Sequence, residues 1–485
     1  MYDIKQRYDK MSLPLRASIW FILCNILLKG ISFFTSPLFA RILSSSEYGK
    51  LTLYTTYEQI FVVLATWEVG LSPTQRGLLK FKDAKEVYKS SLILFSMISS
   101  TIMITVVFVF HEKVSAFTEI PIWLLACMAL YSFFYSSYTS WMTENKLLYN
   151  YKSVSLVTIA MSVIQTVSAL LAVSLIEATA EIKLLFSMIP VIITSVFICS
   201  FRFKPSVLLN NSSEVKNDLK FILGFSWPLL MHSLSYLFLS HADSIMIGKM
   251  VGNSEAGLYG VAYTISSIVI IIQNAVLQVL SPWIYHRMDR HEYIQIREKT
   301  RLIVLFVCVL YVLFILIAPD VIFFLYPEFY WQGIWCIPPI AMGMFFMFMY
   351  SLFVSIEECL DQTKYVALVS IVCASLNIAL NYWGIKAFGY IACAYTTLVC
   401  YILFAVGHYF FMVKALKKCQ NVKMFDGKFF LFASMVMLCL MIGIVFIYNQ
   451  RLLRYLVVGA IVVGCLFFMK KICAFITDFK QRQNK

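Results

Sequence analysis

Runs of about twenty apolar residues follow one another along almost the whole chain, with short polar stretches between them. A helix of this length crosses the hydrocarbon core of a bilayer and satisfies its own backbone hydrogen bonds. Charged residues make up 14% of the chain, whereas soluble proteins carry roughly 25%. The mean hydropathy is +0.79. The sequence therefore predicts an all-α integral membrane protein.

About fourteen of these runs are long enough to be transmembrane helices. The predicted spans are 17–40, 48–71, 90–110, 122–143, 153–176, 184–201, 221–242, 258–283, 302–325, 334–356, 365–384, 389–413, 429–448 and 455–473. We expect an N-terminal lobe of six helices (1–210), a C-terminal lobe of six (211–418), and two extra helices with a tail (419–485).

The positive charges fall in alternate loops. Most of the 40 Lys and Arg residues lie in loops that share one side if both termini are cytoplasmic, as the positive-inside rule requires. The net charge of +14 is therefore a feature of topology. We expect contacts with anionic membrane lipids and no nucleic-acid partner, because the charges are scattered among loops. The thirteen cysteines contain no Cys-x-x-Cys pair and predict neither a disulfide framework nor a metal site.

A short phrase occurs twice at equivalent places between apolar segments. The phrase from Arg41 to Gly49 and the phrase from Lys249 to Gly257 superpose when the sequence is shifted by 208 positions (41 to 249). The same shift places Glu47 on Glu255. An internal repeat in a membrane protein indicates two related halves, and a transporter can rock such halves against each other.

These phrases resemble those of polysaccharide transporters of the multidrug/oligosaccharidyl-lipid/polysaccharide (MOP) exporter superfamily. The matching segments are Arg41…Glu47-Tyr48-Gly49, Asp243…Gly248 followed by Glu255-x-Gly257-x-Tyr259, and Asn377…Asn381 followed by Gly389-Tyr390-Ile391-Ala392. The family often has a glycine- and alanine-rich run where this chain has Ala392 and Cys393. Together the segments look like an O-antigen flippase of the Wzx type, with two six-helix lobes as in the MATE fold.

The resemblance implies a transporter rather than an enzyme, located in the bacterial inner membrane and acting in lipopolysaccharide biosynthesis. Its substrate would be an undecaprenyl-pyrophosphate-linked oligosaccharide, and its partners would include a polysaccharide polymerase and chain-length proteins. No cofactor is expected, although proton or sodium coupling would suit the cycle. Such a substrate needs a wet cavity with a cation for the pyrophosphate and polar groups for the sugar.

Charged residues inside predicted helices are the first candidates for a substrate site. Lys29 lies near the middle of the first span, and Asn25 precedes it by one helical turn. Lys29 would meet the pyrophosphate. The alternative is a structural ion pair with Glu58, which lies at similar depth in the second span and would also face the cavity.

Amide side chains inside helices are the second group of cavity candidates. Asn377 and Asn381 share one helix face because they are four residues apart. They would bind sugar or, alternatively, join neighbouring helices. The same two interpretations apply to Gln165, Gln273 and Asn274.

Three residues are candidates for coupling or gating. Glu68 would bind a proton or gate one side, or would simply be a helix-end residue. His232 would titrate near neutral pH, or would be an interhelical polar contact. Asp243 would couple ion movement to transport, or would tie the end of its helix to the turn carrying Lys249. We expect Arg41, Glu47, Gly49, Lys249, Glu255 and Gly257 to set lobe geometry.

Two other functional classes remain open. An exporter of drugs or other small molecules could use the same scaffold, although a central Lys29 suits an anionic substrate better. A membrane enzyme of polysaccharide assembly would be expected to have a large outer loop or an intramembrane His–Asp centre, and neither pattern is present in the sequence.

Overall fold

The computed structural model describes residue 11 and residues 13–360, 364–419 and 424–466. Helices account for nearly all of these residues. They are α1 Leu13–Ile42, α2 Ser45–Thr66, α3 Ser72–Lys80, α4 Lys85–Val109, α5 His111–Thr118, α6 Ile122–Leu147, α7 Tyr151–Leu175, α8 Ala180–Arg202, α9 Pro205–Asn210, α10 Ser212–Met250, α11 Asn253–Ser266, α12 Ile268–Asp289, α13 Tyr293–Leu325, α14 Ile337–Cys359, α15 Lys364–Phe388, α16 Ile391–Cys419, α17 Gly427–Phe446 and α18, 451–466. Two 3₁₀ helices cover Lys82–Ala84 and Glu328–Cys336.

Twelve helical segments in the described part are long and apolar enough to cross a membrane. The predicted fold class is confirmed: the protein is an all-helical, multi-pass membrane protein. The predicted span 48–71 is present as α2, which is more polar than the other spans. The last predicted span, 455–473, is helical up to residue 466, and the rest of it lies outside the described residues.

The chain forms two compact units that cut across the order of the sequence. The first contains residues 1–261 and 363–400, and the second contains residues 262–362 and 401–485. In the first unit, α10 packs against α2, α4 and α15, and α8 packs against α6 and α7. In the second unit, α14 is the central helix and contacts α12, α13 and α17.

Helix ends in the first unit follow local sequence signals. Ser44 caps α2 by accepting a hydrogen bond from the backbone N–H of Glu47 (3.2 Å), which is the expected use of a serine three residues before a glutamate. At its other end α2 stops at Thr66, because Trp67 and Glu68 both have left-handed backbones (φ 50° and 52°). Gly389 (φ 74°) makes the turn between α15 and α16, where a residue without Cβ is favoured.

Candidate functional site

One polar site in the first unit is built around a buried carboxylate on α10. Asp243 is 1% exposed. Its Oδ1 accepts hydrogen bonds from Asn381 Nδ2 (2.7 Å) and Thr397 Oγ1 (2.9 Å), and its Oδ2 accepts from Thr397 Oγ1 (2.7 Å) and Tyr259 Oη. Four helices therefore converge on one side chain: α10, α11, α15 and α16.

Helical spacing explains why the donors face the carboxylate together. Asn377 and Asn381 share one face of α15, as predicted, and both are fully buried. Asn381 Nδ2 also donates to Asn377 Oδ1 (3.1 Å), and Asn377 Nδ2 donates to Thr397 Oγ1 (2.8 Å). Thr396 donates to Asn381 Oδ1. The turn at Gly389 returns the chain so that α16 presents its two threonines to this face.

No cationic side chain of the described residues pairs with this site. No ion pair joins Asp243 to a Lys, Arg or His within the ranges that the structure describes. A buried carboxylate is expensive even when hydrogen bonded, and a proton or a cation offsets that cost. The oxygen atoms of Asp243, Asn377 and Asn381 would suit a hard cation. No cluster of three His, Cys, Asp or Glu side chains able to hold a metal occurs among the described residues.

The repeated phrases meet in space within the same unit. A Cβ on Gly49 would overlap the backbone carbonyl of Asn253, and a Cβ on Gly257 would lie 3.0 Å from the carbonyl oxygen of Ser45. The two contacts are related by the repeat, since 45 and 49 shifted by 208 positions are 253 and 257. The starts of α2 and α11 therefore pack symmetrically, backbone against backbone. We call this contact the glycine seam.

Ion pairs surround the glycine seam. Lys249 Nζ binds Glu119 Oε1 (2.7 Å), and the Lys249 hydrogen bond holds the pKa of the Glu119 carboxyl below its usual value. Lys249 thus pairs with the loop after α5 and not with Asp243. Glu47 binds Lys50 (2.7 Å) and accepts from the backbone N–H of Ala180 (2.8 Å).

The other members of the phrases differ in their surroundings. Arg41 is exposed and Glu255 is half-buried.

The predicted cation of the first span lies on an exposed face of α1. Lys29 and Asn25 are both exposed. Glu58 is half-buried and interacts with Lys183 and the hydroxyl of Tyr131. The alternative interpretation of Lys29, a structural ion pair with Glu58, is therefore wrong for the described residues. Equal depth in the membrane does not fix the rotation of a helix about its axis, so the two side chains point to different neighbours.

The remaining candidates are spread over both units. Ser233 donates a hydrogen bond to Glu68 Oε2, and His232 is half-buried beside it on α10. Gln165 is half-buried on α7 and Asn274 is exposed on α12. Gln273 is 2% exposed and accepts from Tyr311 Oη (2.9 Å).

Two pairs of ionisable side chains in the second unit were not predicted from the sequence. His408 Nδ1 and Glu357 Oε1 are 3.1 Å apart and both side chains are fully buried. Arg454 Nη1 binds Asp320 Oδ2 (2.7 Å) and the carbonyl of Leu316 (2.5 Å). The two partners of each pair are far apart in sequence. The sequence signal that could have identified them is an ionisable residue inside an otherwise apolar run.

One family model matches more than half of the chain. The model of the polysaccharide biosynthesis protein family matches residues 15–288, which is more than half of the 485 residues. The chain belongs to this family. The MatE family model matches residues 228–383, which include Asp243, Asn377 and Asn381. No curated protein sequence matches the chain.

The polysaccharide biosynthesis protein shares its fold with solved MOP transporters. A lipid II flippase MurJ in an inward closed conformation matches with TM-score 0.67 and 16% identity, over 94% of this chain and 100% of that one. An inward-facing multidrug resistance MATE transporter matches with TM-score 0.60 and 12% identity, over 81% and 96%. A MOP transporter from Pyrococcus furiosus, described as having a binding pocket of reverse polarity, matches with TM-score 0.55 and 13% identity, over 83% and 96%. The chain therefore has the fold of MOP transporters, as expected.

Proposed function

We propose that this transporter flips an undecaprenyl-pyrophosphate-linked oligosaccharide from the cytoplasmic to the periplasmic leaflet of the bacterial inner membrane. Membership of the polysaccharide biosynthesis family supports a glycan substrate. The observation that carries the proposal is Lys29. This lysine is exposed near the middle of α1 and makes no ion pair with any described residue. A cation in a membrane-spanning helix needs water or an anion beside it, and a lipid diphosphate supplies that anion.

The transport cycle follows from the predicted two-lobe organisation. Lobes 1–210 and 211–418 would alternate access to a wet cavity, while the two predicted extra helices within 419–485 would flank them. The prenyl tail would stay in the bilayer, and only the diphosphate and sugar would cross through the protein. Asn25 lies one turn from Lys29 and would bind a sugar hydroxyl or phosphate oxygen.

We further propose that Asp243 is the coupling site. Its carboxylate is buried, receives hydrogen bonds from three side chains and has no cation among the described residues, so a proton or sodium ion would complete it. Binding there would change how α10 packs against α15 and α16. Sodium or acid should raise the melting temperature of the purified protein, and Asp243→Asn should abolish this shift. Asp83→Asn, which changes an exposed carboxylate, should retain it.

The substrate assignment is tested in cells that lack the protein. Spheroplasts are probed with an impermeant lectin or glycosidase for the sidedness of lipid-linked repeat units. Full-length units trapped on the cytoplasmic face, released by the wild-type gene and by Lys29→Arg but not by Lys29→Ala, would support the proposal. Lys152→Ala, which removes an exposed lysine elsewhere, should release them as the wild type does. Normal outward display in the deletion strain would contradict it.

A small-molecule exporter is the second candidate function. The MatE match over residues 228–383 favours it, as does the buried acid Asp243. Drug sensitivity of the deletion strain, with normal display of lipid-linked units, would select this alternative.

A further inference from the structure

An open pocket of about 650 Å³ lies where the end of α3 meets the start of α10. Lys80 and Phe81 line it from the α3 side. Asn217, Lys220, Phe221, Gly224 and Phe225 line it from α10. All of these residues belong to the first compact unit. We call this site the lysine–phenylalanine pocket.

The α10 residues form one continuous helix face. Positions 217, 220, 221, 224 and 225 recur at intervals of three or four, and such positions point the same way. Gly224 lies in the middle of this face, and a Cβ there would meet nothing within 4 Å. The missing side chain leaves open space beside the stacked rings of Phe221 and Phe225, whose centroids are 5.8 Å apart.

The pocket carries two lysines with no ion-pair partner among the described residues. Lys80 Nζ lies 4.4 Å from the ring centroid of Phe221 and 5.1 Å from that of Phe81, so cation–π contacts hold it at the rim. Lys220 is exposed one position before Phe221. Asp218 interacts electrostatically with Lys80 but forms no ion pair with it. Its side chain is buried, and its Oδ2 accepts a hydrogen bond from Ser91 Oγ (3.0 Å).

The surroundings favour a lipid-anchored anion over a soluble one. Three phenylalanines line the pocket together with the two cations. The exposed surface of α10 continues with Leu223 and Trp227 at 49% and 53% exposure. Trp227 packs near Trp67, with ring centroids 5.7 Å apart. A phosphate at the lysines would therefore leave its hydrocarbon tail against an apolar strip that leads into the membrane.

We propose that the lysine–phenylalanine pocket binds the diphosphate of a polyprenyl-linked substrate before it enters the transport path. This inference rests on the proposed function for the identity of the lipid. Two lysines can contact a diphosphate at both phosphorus centres, whereas a single phosphodiester needs only one cation. The positive-inside prediction places both lysines on the cytoplasmic side, where the substrate would be loaded.

The test measures binding, without any transport step. Purified full-length protein in nanodiscs of neutral lipid is titrated with undecaprenyl diphosphate, and the dissociation constant is measured. Lys80→Gln and Lys220→Gln should each weaken binding by about tenfold, because each removes a charge-assisted contact to phosphate. Gly224→Leu should weaken it comparably by filling the pocket at unchanged charge. Lys82→Gln removes an exposed lysine that does not line the pocket and should bind as the wild type.

Two competing ligands separate the sources of phosphate. Phosphatidylglycerol at the same mole fraction should displace the diphosphate poorly, and inorganic pyrophosphate should bind weakly because it has no tail. Equal affinity in the lysine variants, or full displacement by phosphatidylglycerol, would overturn the inference. Melting temperatures near that of the wild type establish that the variants are folded. Normal outward display in the deletion strain would instead refute flipping and leave these binding results unaffected.

Discussion

Gly257 lies so close to Ser45 that a Cβ on residue 257 would stand 3.0 Å from the Ser45 carbonyl oxygen. The repeat-related contact between Gly49 and Asn253 is closer still. The starts of α2 and α11 therefore approach at a distance that only glycine permits, as at small-residue contacts between membrane helices.

Gly49→Ala should lower the free energy of unfolding by about 1–3 kcal/mol, because the added methyl group overlaps backbone atoms that cannot rotate away. Gly30→Ala is the matched control, since a Cβ on Gly30 meets nothing within 4 Å and alanine favours the helix. Denaturant titration in detergent compares the two. Equal stability of both variants would show that the glycine seam does not require glycine.

Thr397→Val should weaken the Asp243 site. Valine has nearly the same shape as threonine but cannot donate to either oxygen of Asp243, so a buried acceptor loses a partner at a cost of about 1–3 kcal/mol. Thr397→Ser keeps the hydroxyl and should behave almost as the wild type. The measured quantities are the unfolding free energy and the melting-temperature shift caused by sodium or acid. Equal unfolding free energies and equal melting-temperature shifts for the valine and serine variants would show that the Thr397 hydroxyl has no role.

The pair of Glu119 and Lys249 predicts a small pH dependence of stability. The hydrogen bond from Lys249 lowers the pKa of Glu119 in the folded protein, so the folded state binds this proton less readily than the unfolded state. The stabilisation is complete above the ordinary glutamate pKa of about 4.3 and is lost as the pH falls through the lower folded value. Glu119→Gln should be less stable than the wild type near neutral pH and equal to it in acid. A stability difference between the wild type and Glu119→Gln that grows as the pH falls would contradict this prediction.

His408→Ala should destabilise the second unit by about 1–3 kcal/mol, because the fully buried Glu357 loses its hydrogen-bond partner. His286→Ala removes an exposed histidine and should change little. The double variant His408→Ala with Glu357→Gln should recover part of the loss. A double-mutant cycle in detergent measures the coupling, and additive effects would show that the two groups act independently.

Sequence patterns predicted the helices well and their partners poorly. The apolar run 221–242 predicted α10. The helix itself is longer and covers Ser212–Met250, because it begins with charged residues that lie outside the hydrocarbon. The i, i+4 spacing correctly placed Asn377 and Asn381 on one face. It could not reveal Asp243 or Thr397 as their partners, since contacts between distant segments depend on helix rotation and packing.

The same limit explains why the alternative interpretation of Lys29 is wrong. Depth along two neighbouring helices indicated a pair with Glu58, but α8 brings Lys183 to Glu58 instead. The pocket beside Lys80 and Lys220 was equally hidden, because the predicted spans left both lysines in loops, whose charge the positive-inside rule already explains.

Reconstituted flipping tests the central claim most directly. Purified protein is placed in liposomes that carry a fluorescent undecaprenyl-diphosphate oligosaccharide, and an impermeant quencher reports the fraction that remains in the outer leaflet. The account predicts that the wild type and Lys29→Arg make the whole pool accessible over time. In liposomes with the Lys29→Ala variant, and in protein-free liposomes, about half of the labelled lipid should stay protected from the quencher, because the two leaflets start with equal amounts. Wild-type protein that leaves the protected half unchanged, while still binding the lipid, would contradict the flippase assignment.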